Sequence, residues 1–441
     1  MRHYSIFLIF FITIHYSLTA QILPERDRAD LVNNILEERL NKVLPELMDR
    51  AGIDMWVLIS REYNEDPVLK TMLPATWLNA RRRTMLVFYR DEAKNKLEKL
   101  AVARYNIGKT ITSAWDKEEE PDQWAALYKI ITDRNPSKIA LNYSTDFGLA
   151  DGLVKTDYNL FMQKLPDMYK DRVVSAQNLA IGWIETRSRM EIQIFEELVT
   201  VTKDIIQEAF SNKVIEPGKT TTDDVVWFLR QKVTDLGLDT WFHPTVDIQR
   251  STEALKSHID SFSNGYADQV IMPGDLIHCD FGISYLRLNT DCQQHAYVLR
   301  AGETDAPQFL KNAFAKGNQL QDILTSNFET GKTGNQILSS SLEQAKSQGL
   351  RPPIYTHPLG LYGHSAGPTI GMWDSQDGVP GTGDYTLYPN TAYAIELNTT
   401  VSIPEWDKDI RIMLEEAGLW SPKGFRYVNG RQEDLILIEN Q

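Results

Sequence analysis

The chain has 441 residues and a formal charge of −14, which makes nucleic acid and anionic membrane surfaces poor partners. Apolar residues make up 42% of it, ample for the cores of two or three domains, and two cysteines are too few for a disulfide framework.

The first 20 residues, MRHYSIFLIFFITIHYSLTA, place one charged residue, Arg2, ahead of an apolar run from Ile6 to Ile14 and a small residue at Ala20. This is the pattern of a secretory signal, too short for a comfortable membrane span. It predicts an exported protein, periplasmic or secreted, that leaves the membrane once the signal is cut. An uncleaved anchor would share the pattern.

Residues 21–185 predict a small α/β domain. An amphipathic helix over 27–51 carries Leu31, Ile35, Leu40, Val43 and Leu47 on one side, and Pro45 is expected to kink it or end it early. Strands are predicted at Asp54–Ser60, Thr84–Tyr89, Leu100–Arg104 and Lys138–Asn142, with a helix at Pro121–Asp133. The basic cluster Arg81–Arg83 reads as a solvated strand edge. No chemical constellation is evident here, and no histidine lies between Gln21 and Phe242.

Residues 186–441 open on a capping box, Ser188-Arg189-Met190-Glu191, followed by Ile194, Phe195, Leu198, Val201, Ile205 and Phe210 at helical spacing. A second helix runs from about Thr222 to Leu236 and stops at Gly237. Strands then end in a hairpin within Gly274–Leu299. The order repeats: helices at about Pro307–Phe328 and Gly334–Gln348, then strands around Pro353–Gly363, Ala392–Asn398 and Asp409–Leu414. Two helices then strands, twice over, predict an internal αα-β duplication with a site where the halves meet.

The hairpin carries Asp280 and Asp291, eleven residues apart. Opposed hairpin residues have positions of constant sum, and an odd separation turns both carboxylates to one face. Two buried acids side by side call for a cation, although turn or edge acids would give the same spacing. Pairing Asp280 with Asp291 also sets Cys279 opposite Cys292 on the reverse face, where a bridge between adjacent strands is disfavoured by strain. Three further residues join the acids: His364 in a Gly-flanked turn, Glu396 as a lone acid in an apolar strand, and Glu415 at a strand end. Two Asp, two Glu and one His suit two hard or borderline cations such as Mn²⁺, with Zn²⁺ or Co²⁺ also fitting.

The ordered set, with GDLIHCDFG, NTDCQQHAYV, YGHSAG, AYAIELN and RIMLEEAGLW, resembles the M24-like metallopeptidases: aminopeptidase P, prolidase and methionine aminopeptidase. The resemblance spans Ser188 to the C-terminus. It implies a pita-bread fold there and, more weakly, a creatinase-like N-terminal domain. The two-domain layout looks like the aminopeptidase P and prolidase branch. By position it implies Asp280, Asp291, His364, Glu396 and Glu415 as ligands of two metal ions. It also implies Glu396 as the proton-handling acid, with His357 and His258 hydrogen-bonding the scissile carbonyl. The expected activity is an exopeptidase cutting short peptides near the N-terminus, with Xaa-Pro substrates leading and homo-oligomerisation left open.

The departures from the family are specific. Its members commonly place Arg two residues before the last ligand; here that is Met413, and Arg411 lies four before, so Glu416 rivals Glu415. They place a histidine seven residues after the metal histidine; no histidine follows His364, and Ile370 stands six residues beyond it. His243 rivals His258. His278 shares a strand face with Asp280 and could support the ligands from behind, although a packed or hydrogen-bonded core histidine reads better; His295 reads as structural. Two other readings are a creatinase-type hydrolase and a peptide-binding module without activity. Both are disfavoured by the complete ligand set.

Overall fold

The computed structural model describes residues 22–258 and 269–440. The signal-like segment 1–20 lies outside the described residues. Among them, no helix is long and apolar enough to cross a membrane.

The N-terminal part is built on β1 Met55–Arg61, β2 Arg83–Asp91, β3 Lys96–Val102, β4 Thr112–Ser113, β5 Ile139–Leu141 and β6 Val173–Ser175, in the order β4-β3-β2-β1-β5-β6. β1 is apolar on both faces and is covered on both. Trp56 and Leu58 pack with helix Gln177–Glu185, while Met55, Val57 and Ile59 pack with helix Gln123–Arg134. Pro45 does not break the first helix. Helix Glu25–Glu38 passes through a π turn at Arg39–Val43 into helix Leu44–Ala51, with Pro45 in its first turn. The wider turn accommodates the ring and its missing N–H.

The capping box forms as read: Ser188 Oγ accepts from Glu191 N–H, and the Glu191 carboxylate accepts from Ser188 N–H. Helices Arg189–Ala209 and Thr222–Asp235 precede β7 Thr245–Gln249 and β8 Leu276–Phe281. A small inner ladder follows, β9 Ser284–Tyr285 with β10 Leu288–Asn289, and then β11 Cys292–Val298. Helices Gln308–Ser326 and Gly334–Ser347 precede β12 His357–Leu359, β13 Thr391–Ile403 and β14 Lys408–Ser421. The sheet order β12-β13-β14-β11-β8-β7 sets three strands of one half against three of the other. β15 Gly424–Tyr427 adds to β14 and β16 Ile436–Ile438 to β11. The halves meet where Gln293 faces Glu415.

The strand expected over Pro353–Gly363 shrinks to β12, because Pro353 and Pro358 lack ladder donors and the chain turns at Gly360. Ile277, Cys279 and Phe281 pack against the first helix pair, and Ile395, Leu397, Ile412 and Leu414 against the second. By alternation, His278, Asp280, Glu396, Asn398, Arg411 and Glu415 share the face turned away from the helices.

Candidate metal centre

The hairpin register differs from the one the spacing suggested. Asp280 faces Gln293, Cys292 faces Phe281, and Cys279 faces Gln294. The turn is the two-residue segment Leu286–Arg287, with φ of +50° and +68°, as a type I′ hairpin turn requires. Neither residue is the usual Asn or Gly. Arg287 is anchored instead by a 3.0 Å hydrogen bond from Nη1 to the Thr71 carbonyl. The slip leaves parity intact, so Asp291, just before β11, still shares the face of Asp280. Gly282 leaves room there, since a Cβ on it would stand 2.3 Å from the Thr290 carbonyl oxygen. The two cysteines are not opposed. Both are buried free thiols, and burial raises both thiol pKa values.

β13 and β14 set Glu396 directly opposite Glu415. Asp280, Asp291 and Glu415 offer oxygens within 4.8 Å of one another. Glu416 points to the other face, where Lys203 Nζ lies at 2.7 Å and Gln432 N–H donates at 2.6 Å. The choice of Glu415 over Glu416 thus agrees with strand geometry.

The histidines divide differently from the expectation. His357, on β12, sits inside the acids: Nε2 lies 3.5 Å from Glu415 Oε1, 3.7 Å from Asp291 Oδ2 and 3.8 Å from Glu396 Oε2. Its Nδ1–H donates to the Pro358 carbonyl at 3.0 Å, which leaves the Nε2 lone pair aimed at the cluster. His364 is exposed at the rim, its ring 4.7 Å from that of His357. It joins the cluster only through Asp291 and His357. Trp241 places it: the indole lies 5.2 Å from the His364 ring and 2.4 Å from where a Cβ on Gly363 would stand. Ile370 is fully buried in the core, and its N–H donates to the Thr356 carbonyl.

His258 lines the same cavity, stacked on Trp373 at 5.1 Å and edge-on to Tyr355 at 5.3 Å. His243 lies outside it, exposed, against Trp227 and 3.0 Å from Arg230 Nη1. His295 is structural: Met413 N–H donates to its Nε2, and its Nδ1–H donates to the Ile277 carbonyl. Sequence reasoning missed Gln293, buried between Glu396 and Glu415, and the aromatic wall of Trp241 and Tyr355. Period-two alternation from Asp291 points to Gln293, since a polar residue on that face of β11 must meet the acids.

Electrostatics show what the cluster lacks. Burial raises the carboxyl of Asp280 to about 6. Burial first, then repulsion from neighbouring carboxylates, pushes Asp291, Glu396 and Glu415 well above their ordinary range. Burial lowers His357 to about 4, and partial enclosure at the rim, then the neighbouring His357, lowers His364 to about 4, so both imidazoles are neutral near pH 7. Among the described residues, no lysine or arginine pairs with any of the four acids. Asp280 Oδ1, Asp291 Oδ1, Glu415 Oε1 and His357 Nε2 are buried without hydrogen-bond partners. An oxygen-rich, anionic, unsatisfied donor set with a neutral imidazole fits a divalent cation. A cavity of about 690 Å³ opens onto it.

Residues 193–439, more than half of the chain, match metallopeptidase family M24. The chain belongs to that family. It is an M24 metallopeptidase, a hydrolase of a metal-dependent family, with the α/β pita-bread fold. The X-Pro aminopeptidase from Thermotoga maritima MSB8 is similar at 15% identity and TM-score 0.60, over 88% of this chain and 99% of that one. The Xaa-Pro dipeptidase from Bacillus anthracis is similar at 15% identity and TM-score 0.55, over 94% and 100%. A variant of Escherichia coli aminopeptidase P is similar at 12% identity and TM-score 0.59, over 90% and 94%. At such identities the likeness carries the fold alone. No curated protein sequence matches the chain.

Proposed function

We propose that this M24 protein is an exopeptidase that uses two divalent ions, Mn²⁺ foremost, to hydrolyse a peptide bond near the substrate N-terminus, with proline preferred after the scissile bond. The observation that carries it is the cluster of Asp280, Asp291, Glu396 and Glu415 around His357 Nε2, with no lysine or arginine partner among the described residues. Those five residues would hold the ions. When bound, such ions supply Lewis-acid polarisation of the scissile carbonyl and a water acidic enough to attack near neutral pH.

The chain's own groups do the rest. Glu396, with its carboxyl pKa raised by burial, takes a proton from the attacking water and returns it to the leaving nitrogen. His357 takes the metal-holding role first given to His364, because its Nε2 is the imidazole nitrogen within 4 Å of three acids. His364 then stands seven residues after it, the spacing those enzymes use for a second histidine, and faces substrate at the rim. His258, neutral because burial lowers its pKa to about 4, can donate a hydrogen bond to the carbonyl oxygen from across the cavity. Trp241, Phe242, Tyr355 and Trp373 offer an apolar wall to a pyrrolidine ring, which has no N–H to satisfy. The part up to residue 185 is a separate domain, and the residues that line the cavity, Trp241 to Glu396, all lie beyond it. Export follows from the N-terminal signal pattern, and mature protein beginning at Gln21 would bear it out.

The test is a matched panel of Xaa-Pro and Xaa-Ala di- and tripeptides with Mn²⁺ added. Faster cleavage of the Xaa-Pro members is expected. Equal or faster cleavage of Xaa-Ala would remove the proline preference, and cleavage of dipeptides alone would make the enzyme a dipeptidase.

A further inference from the structure

Behind the acids runs a buried polar chain that none of the roles above uses. Asp247 on β7 faces His278 on β8, and Gln293 on β11 lies diagonal to His278. Their exposures are 6%, 1% and 0%. His278 Nδ1 is 2.9 Å from Asp247 Oδ1, and Nε2 is 3.0 Å from Gln293 Oε1. Gln293 Nε2 donates to Glu396 Oε1 at 2.6 Å and to Glu415 Oε2 at 3.2 Å.

Donor and acceptor counting fixes the sense of this chain. A side-chain amide has two N–H donors, and both are taken by glutamates on different strands. Reversing the amide would turn its carbonyl oxygen onto two carboxylates. Gln293 Oε1 therefore faces His278 and only accepts, so Nε2–H of His278 donates to it. On its other side Nδ1 meets the Asp247 carboxylate, which orients the ring. The amide takes one oxygen from each glutamate. The oxygens left over, Glu396 Oε2 and Glu415 Oε1, are the ones turned to His357 Nε2.

We infer that Gln293, oriented by the Asp247–His278 pair, is a positioning residue that turns one chosen oxygen of Glu396 and one of Glu415 into the metal-holding space. The inference rests on the metal reading of the cluster. Without the amide the opposed glutamates repel one another and rotate, and an incoming cation has to order them itself.

The experiment is calorimetric titration of the full-length, chelator-stripped protein with Mn²⁺, alongside thermal unfolding of each variant. Gln293→Met keeps length and volume but removes both polar atoms, and should bind ~10–100-fold more weakly with cooperative unfolding retained. His278→Phe removes the donor and should weaken binding about tenfold, while His278→Gln restores an N–H and most of the affinity. Adding His278→Phe to Gln293→Met should weaken binding no further, since the histidine acts through the amide. Parent-like affinity and stoichiometry in Gln293→Met would overturn the role of Gln293 and leave the metal centre standing. If that variant fails to fold, equal affinities for His278→Phe and His278→Gln overturn it instead. A parent protein that binds no Mn²⁺ removes the metal reading and this inference with it.

Discussion

The chain treats buried acids in opposite ways at two places among the described residues. Where helix Gln177–Glu185 gives way to helix Arg189–Ala209, Glu191 is enclosed by Arg39 at 2.6 Å and Arg187 at 3.2 Å. Burial works to raise its pKa, yet Arg187 and Arg39 hold it below the ordinary value. In the site, Asp291 and Glu415 are buried and Asp280 and Glu396 partly so, none receives a guanidinium or ammonium from the described residues, and their pKa values all rise. A chain that can bury a matched charge group, and does so at Glu191, leaves four acids unmatched where the two halves of the sheet meet. The difference separates a structural ion network from a site that expects a cation.

The contrast can be broken most severely at Glu396. Glu396→Gln should lower kcat ~10²–10⁴-fold while unfolding stays cooperative, measured by steady-state peptide hydrolysis beside a thermal melt. Next comes a pair of stability measurements in chelator. Glu191→Ala, which leaves Arg39 and Arg187 buried without their partner, should cost about 3–5 kcal/mol in denaturant unfolding. Asp291→Asn should cost nothing, and relief of repulsion should gain on the order of 1 kcal/mol. Loss of stability in both would erase the distinction between the two groups.

The histidines sharpen the same contrast. His357→Ala should weaken Mn²⁺ binding on the order of 100-fold or more, beyond what an outer-shell loss costs. His364→Ala should keep the metal and lower kcat/KM instead. The smallest expected effect is a release of protons. With Asp280 raised to about 6 and Asp291 held well above its ordinary range, the metal-free site holds protons at pH 6, and a cation must expel them. His357 and His364, lowered to about 4, are already neutral there and release none. Apparent affinity should therefore rise with pH, with on the order of one to two protons released per chain at pH 6, read from calorimetry in buffers of different ionisation enthalpy.

Much of the fold was legible because local chemistry and tertiary structure agree. The capping box at Ser188, the stop at Gly237 and the repeated order of helices and strands all correspond to observed elements. The hairpin register was not legible, because Leu286 and Arg287 carry no turn signal and are held in left-handed conformation by a contact to Thr71, 216 positions away. Parity survived that slip, which is why the acids could be grouped without the right pairing. The histidines were read from the glycines around His364, whereas β12 carries His357 into the cluster by pairing it with Ala394 on β13. Alternation from Asp291 puts Gln293 on the acids' face, but an uncharged amide is not read as part of an acid cluster until Glu396 and Glu415 are seen on either side of it.

The central claim is that the unmatched acids exist to hold divalent metal. The most direct measurement strips the full-length protein with chelator, titrates it with Mn²⁺ and follows bound metal and peptide hydrolysis on the same sample. The account predicts an inactive stripped protein, saturation at two ions per chain, and hydrolysis that returns as the ions bind. Full hydrolysis by the stripped protein, or hydrolysis that returns without metal bound to the chain, would contradict it.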